Sequence, residues 1–288
     1  MCDHDSMDDM QKAGELSRRQ FGALGLGASM IAMLPAVAHA AEVSESEVSI
    51  KTPDGTCDAH FAHPTSGAHA AVLVWPDIFG LRPAFRTMGK RLAESGYSVL
   101  TVNPFYRVQK APTAPERPNF QDPDTRAALF KLAGGITAET NVTDAKAFVA
   151  WLDAQASVDR KKKIGTTGYC MGGPLVMRTA AALPERIGAG GSFHGGGLNT
   201  DQPNSPHLLI PQMKASFLIA IADNDDKSNP TSKDILRKAF DDAKVPAVIE
   251  VYAGAQHGWC SIDSQVYNPV QAEKAWGQML EIFKKTLS

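Results

Sequence analysis

The chain of 288 residues is 43% hydrophobic, 7% aromatic and 21% charged, ordinary globular proportions with room for a sizeable core. A formal net charge of −2 and the lack of a basic stripe exclude an electrostatic case for nucleic acid or an anionic membrane surface. A small substrate, uncharged or singly charged, is the expectation that remains.

At the amino terminus, Ser17-Arg18-Arg19-Gln20-Phe21 precedes a weakly apolar run from Gly22 to Val37. Ala38-His39-Ala40 then supplies the small-x-small pattern that signal peptidases cut. A positive start, a short apolar middle and a cleavage pattern read, in that order, as a secretory signal over residues 1–40. It is too short to span a membrane. The arginine pair resembles the twin-arginine signal, which exports folded proteins. The expected partner is therefore the twin-arginine export machinery, and the expected location is the periplasm or outside the cell, with no stable membrane association. The leader holds three basic and five acidic residues, so the chain from Ala41 is formally neutral. Cys57, Cys170 and Cys260 survive cleavage. An odd count in an oxidising compartment leaves at least one free thiol, with a Cys57–Cys260 disulfide open to the others. No C-x-x-C pair or neighbouring histidine pair suggests a metal, so none is expected.

Two runs, Glu47 to Lys51 and Cys57 to Ala62, flank Asp54-Gly55 and read as a leading hairpin. Apolar runs of strand length follow at Ala71 to Trp75, Tyr97 to Val102, Ile164 to Tyr169, Gly188 to Phe193, Phe217 to Ala222 and Val248 to Tyr252. Most are continuous rather than alternating, as expected of strands buried on both faces of a parallel sheet. Helix-period segments lie between and after them, at Phe85 to Ser95, Val142 to Ala154, Pro174 to Ala182, Ser232 to Ala243 and Val270 to Thr286. Tyr106 to Gln121, rich in proline and charge, reads as a long loop or lid. The alternation predicts one α/β domain over 41–288: a doubly wound, mostly parallel sheet with helices on both faces.

Gly168-Tyr169-Cys170-Met171-Gly172-Gly173 falls between a predicted strand and a predicted helix. That is the context of the G-x-nucleophile-x-G elbow, which makes Cys170 the candidate nucleophile of an α/β-hydrolase. A helix amino terminus beneath it favours the thiolate, and the Met171 N–H becomes half of an oxyanion hole. In this fold an acid and then a histidine follow the nucleophile in chain order. Asp225 lies after the strand ending at Ala222, and His257 after the strand ending at Tyr252. Spacing alone does not separate Asp225 from Asp223 and Asp226, and the cluster lacks the glycine and glutamate of a calcium loop.

The elbow, together with Trp75-Pro76-Asp77-Ile78-Phe79-Gly80-Leu81, Gly96-Tyr97 and Ala253-Gly254-Ala255-Gln256-His257-Gly258, resembles the dienelactone hydrolases. The resemblance spans nearly all of the chain after the leader. It implies hydrolysis of a small ester or enol-lactone by a Cys-His-Asp triad, with no metal or organic cofactor. Carried onto this sequence, Cys170 attacks the carbonyl, His257 relays the proton, Asp225 orients the imidazole, and the N–H groups of Ile78 and Met171 bind the oxyanion. Asp77 stands where the family has a glutamate that partners the resting cysteine. Ser261 stands where it has an arginine for the substrate carboxylate, with Arg107 or Arg126 as basic replacements. An ester or lactone other than a dienelactone is therefore expected.

His194-Gly195-Gly196-Gly197 spells a lipase oxyanion motif, but it follows the nucleophile instead of preceding it. His194 is then either a pocket residue or a structural one, and Trp259 a candidate pocket wall. His60, His63 and His69 read as surface residues. The alternatives are a non-catalytic ligand-binding member of the fold, or an acyltransferase or peptidase on the same triad.

Overall fold

The computed structural model describes residues 34–37, 40–115 and 120–287, so nearly all of the expected leader lies outside the described residues. Eight strands form a single sheet in the order β1-β2-β4-β3-β5-β6-β7-β8. The strands are β1 Val43–Thr52, β2 Gly55–Pro64, β3 Ala71–Trp75, β4 Ser98–Val102, β5 Ile164–Tyr169, β6 Ile187–Phe193, β7 Ser216–Ala222 and β8 Ala247–Tyr252. β1 and β2 form the expected antiparallel hairpin, and β2 adds antiparallel to β4. From β4 onward every pairing is parallel. The mostly parallel α/β architecture read from the sequence is the one observed.

Helices α1 Pro83–Glu94, α2 Pro123–Ala133, α3 Ala138–Asp153, α4 Gly172–Ala182, α5 Asp223–Ser228, α6 Ser232–Ala243 and α7 Pro269–Thr286 cover it. β3 shows how both faces are buried. Ala71, Leu73 and Trp75 join a cluster with Phe148 of α3, Val176 of α4 and Phe240 of α6. Val72 and Val74 point the other way, into a cluster with Phe85 and Leu92 of α1 and Met279 and Phe283 of α7. Strand side chains alternate across the sheet, so each face takes every second residue. Each large apolar side chain buried this way contributes about 1.5–3 kcal/mol.

Helix starts follow local chemistry. Proline occupies the first turn of α1, α2 and α7, where its missing N–H has no intrahelical role. Asp122 accepts the Thr125 N–H at 2.8 Å and caps α2. Thr137 and Thr140 exchange side-chain and backbone bonds of 2.8 and 3.2 Å as a capping box for α3. The loop expected over Tyr106 to Gln121 gives way at Asp122 to α2, a helix the sequence reading missed.

β3 leads to β4 on one side of the sheet, and the chain returns through α2 and α3 to β5 on β3's other side. The strand order reverses there, and open α/β sheets place ligands beyond the carboxyl ends of such strands. The loop after β3 and the turn after β5 both emerge at that point.

One expectation needs correction, and one possibility left open is answered. His60 is not at the surface: it is buried in β2, with its Nε2 3.2 Å from Glu45 Oε2. Burial pushes its ring toward the neutral form. No disulfide joins Cys57 to Cys260; both are buried free thiols. Burial raises both thiols' pKa far above the ordinary range.

Candidate active site

Cys170 follows β5 directly and holds φ at +52°, a left-handed conformation that a non-glycine residue adopts only under strain. Its N–H donates to the Phe193 carbonyl at 3.0 Å, and its own carbonyl accepts the Gly173 N–H at 3.0 Å. The flanking glycines are required by close approach. A Cβ on Gly168 would lie 2.2 Å from the Gly172 carbonyl oxygen, and one on Gly172 would lie 2.4 Å from that of Trp75. The elbow is therefore pressed against the end of β3, beside Ile78. α4 begins immediately after Met171, so its positive end lies at Cys170.

His257 sits in the loop between β8 and α7. Its N–H donates to Asn224 Oδ1 at 2.8 Å, and its Nδ1 lies 2.8 Å from Asp225 Oδ2. Asp225 reaches that position because β7 and β8 pair in parallel up to Ala222 and Tyr252, bringing the loops beyond them together. The neighbouring acids face other partners: Asp223 accepts from Lys227 at 2.7 Å, and both oxygens of Asp226 accept from Lys233 at 2.7 Å. Of the three carboxylates that spacing left open, Asp225 is the one on the histidine.

Cys170 Sγ and a ring nitrogen from each of His194 and His257 lie within 4.8 Å of one another. All three residues are buried, at 4%, 1% and 4% exposure. His194 also has positive φ, +41°, and its N–H donates to the Ala220 carbonyl at 2.8 Å. Its ring stands 4.9 Å from that of His257 and 5.2 Å from that of Trp259, which is fully buried. Neither ring nitrogen of His194 has a hydrogen-bond partner among the described residues. Burial first, and the adjacent His257 second, hold its pKa well below the usual histidine range, so the ring is neutral.

Ile78, Cys170 and Met171 share an apolar cluster with Phe105, Phe120, and Leu129 and Leu132 of α2. The missed helix therefore helps roof the nucleophile. Asp77 is buried with both carboxylate oxygens occupied. Arg82 donates to them at 2.6 and 2.9 Å, the Phe79 N–H at 2.9 Å and the Ser261 hydroxyl at 3.2 Å. Arg82 also donates to Asp263 at 2.6 and 2.9 Å, and its guanidinium lies over the rings of Phe79 and Phe85. Burial opposes its charge, but the two aspartates override that and raise its pKa above the ordinary value. Arg82 thus ties the loop after β3 to the loop that carries His257. Arg107, expected as a basic replacement near the substrate, is instead paired with Asp54 and Asp144.

Residues 57–287 match the model of the dienelactone hydrolase family. The chain belongs to the dienelactone hydrolase family. It is a hydrolase of that type, 26% identical over 243 residues to the carboxymethylenebutenolidase of Rhodococcus opacus, across 83% of this chain and 90% of that one. Among solved structures, a dienelactone hydrolase-like promiscuous phosphotriesterase from metagenomic libraries matches with a TM-score of 0.69 at 20% identity. The dienelactone hydrolase of Anabaena variabilis matches with a TM-score of 0.60 at 16% identity. Each covers 85% of this chain and 99% of its own, and at these identities both speak to fold alone.

Within this family member, the sequence reading missed Arg82 and the roof of α2. Asp122-Pro123, a capping acid before a first-turn proline, was a readable signal for the helix. Arg82 had none, because its partner Asp263 lies 181 residues away.

Proposed function

We infer that this hydrolase cleaves a small ester or lactone through an acyl-enzyme on Cys170. The observation that carries the reading is the strained cysteine at the elbow, close to a histidine whose Nδ1 is 2.8 Å from Asp225. With Nδ1 oriented toward the carboxylate, Nε2 is the nitrogen that takes the thiol proton. The thiolate attacks the carbonyl carbon, and the developing oxyanion is met by the N–H groups of Ile78 and Met171. Collapse forms a thioester and expels the alkoxide, which His257 protonates. Water, deprotonated by the same imidazole, then releases the acid. Asp225 keeps the imidazole in the useful tautomer and stabilises its charged form.

The substrate we assign is an ester or lactone without a carboxylate to be clamped. Ser261 stands at the position of the family's arginine, and Arg82 has its donors taken by Asp77 and Asp263. Residues 1–40 support export by the twin-arginine machinery and action in the periplasm. Purified residues 41–288 should hydrolyse p-nitrophenyl acetate faster than a dienelactone. A protein inert toward both would favour a ligand-binding role instead. Asp225→Asn should lower kcat by about 10²–10⁴-fold, in line with tautomer loss in related triads. Asp223→Asn and Asp226→Asn should stay within about threefold of wild type, because their carboxylates face lysines. Equal losses in all three variants would count against Asp225 as the orienting acid.

A further inference from the structure

His194 is the one part of the cluster that hydrolysis does not use. A buried imidazole without a hydrogen bond carries a desolvation penalty, and the left-handed backbone that puts it there costs conformational strain. Such an arrangement persists when something else occupies the group. The cluster consists of one sulfur and two imidazoles, all within 4.8 Å of one another and all buried. Thiolate and imidazole are the donor set that zinc prefers.

We propose that Cys170 Sγ, His257 Nε2 and a ring nitrogen of His194 form a Zn²⁺ site, and that Zn²⁺ bound there switches the hydrolase off. The inhibitory half of this proposal rests on the acyl-enzyme reading; the binding half does not. Tetrahedral zinc, with Zn–S near 2.3 Å and Zn–N near 2.0 Å, needs ligand atoms about 3.3–3.6 Å apart. The three side chains therefore have to draw together by at most about 1.5 Å, within reach of small side-chain rotations. His257 Nδ1 is already on Asp225, which leaves Nε2 for the ion. A carboxylate behind a ligating histidine is also the outer partner zinc sites commonly have. The fourth position stays open to water or a small anion. Binding forms the Zn–S and two Zn–N bonds, and the thiol proton leaves to solvent, so no redox partner is needed. The bound ion takes the nucleophile's lone pair and the base's Nε2 at once, and the acyl-enzyme cannot form. Sequence spacing hides this site, because the three ligands come from the carboxyl ends of three different strands, β5, β6 and β8.

The test uses the reduced protein, residues 41–288, titrated with Co²⁺ and with Zn²⁺. Co²⁺ should bind one per chain and produce thiolate-to-metal charge-transfer absorption. Zn²⁺ should displace it, protect Cys170 from iodoacetamide as read by peptide mass, and abolish esterase activity in step with occupancy, reversibly with EDTA. His194→Asn keeps a residue that tolerates positive φ but removes the ring. It should weaken Zn²⁺ binding by about a hundredfold or more. Inhibition in each protein is scaled to its own metal-free rate, and protection of Cys170 in wild type needs no variant at all. Absence of the charge-transfer band, or equal zinc affinity in wild type and in folded His194→Asn, would overturn the proposal. A wild type that binds zinc on Cys170 yet hydrolyses no ester would keep the site and defeat the hydrolytic reading. An active enzyme that zinc neither binds nor protects would do the reverse.

Discussion

Cys170→Ala is expected to reduce ester hydrolysis by about four orders of magnitude or more, leaving only what binding and oxyanion contacts provide. The size of the loss follows from covalent catalysis: without the sulfur no acyl-enzyme forms, and His257 has no proton to take from position 170. Folding should survive. The substitution removes one sulfur atom from a residue whose Cβ already tolerates φ of +52°, and the backbone bonds to Phe193 and Gly173 remain. Steady-state rates on p-nitrophenyl acetate, with circular dichroism to confirm folding, check the expectation. A folded variant that keeps a tenth or more of wild-type activity would move the chemistry away from the elbow.

Arg82→Ala is expected to destabilise the fold by about 3–5 kcal/mol, the range for breaking a buried ion pair by removing one partner. The guanidinium supplies four charge-assisted bonds to two carboxylates and lies over two aromatic rings. Its loss leaves Asp77 buried and short of partners, with Asp263 facing it across the gap. The double variant Arg82→Met with Asp77→Leu removes the buried pair, leaves only the more exposed Asp263, and should recover much of the loss, since a well-packed apolar pair often equals a buried ion pair. Denaturant midpoints for the two proteins measure the difference. Because Arg82 joins the Ile78 loop to the His257 loop, the single variant should also lose activity at temperatures where it is still folded. A single variant within about 1 kcal/mol of wild type would show that the clamp is dispensable.

The architecture was legible because parallel strands buried on both faces write themselves as continuous apolar runs. β3 and β5 appear at the residues expected, and β4, β6, β7 and β8 each differ by one residue at their start. The helices of the interior crossovers were equally plain in period, although α3 starts at Ala138, not Val142, because its capping box uses Thr140 at the third position. α2 was overlooked because prolines and charges around it outweighed its short apolar stripe. In the site, elbow and histidine were legible because the fold fixes their order along the chain. The choice of Asp225 was not, since Asp223 and Asp226 differ from it only in direction, which depends on lysines at 227 and 233. The Arg82 clamp and the approach of His194 to Cys170 are tertiary facts. They arise from parallel strands placing distant loops at one sheet edge, and local pattern carries no trace of them.

The central claim is that Cys170 carries the acyl group, and trapping that group tests it most directly. Wild-type protein mixed with p-nitrophenyl acetate, quenched in acid within the first turnover and digested, should yield the Cys170 peptide heavier by one acetyl group. The Cys57 and Cys260 peptides should be unmodified, and the adduct should accumulate further in His257→Ala if that variant still acylates. Turnover without an adduct on Cys170, or with the acetyl group on another residue, would contradict the account.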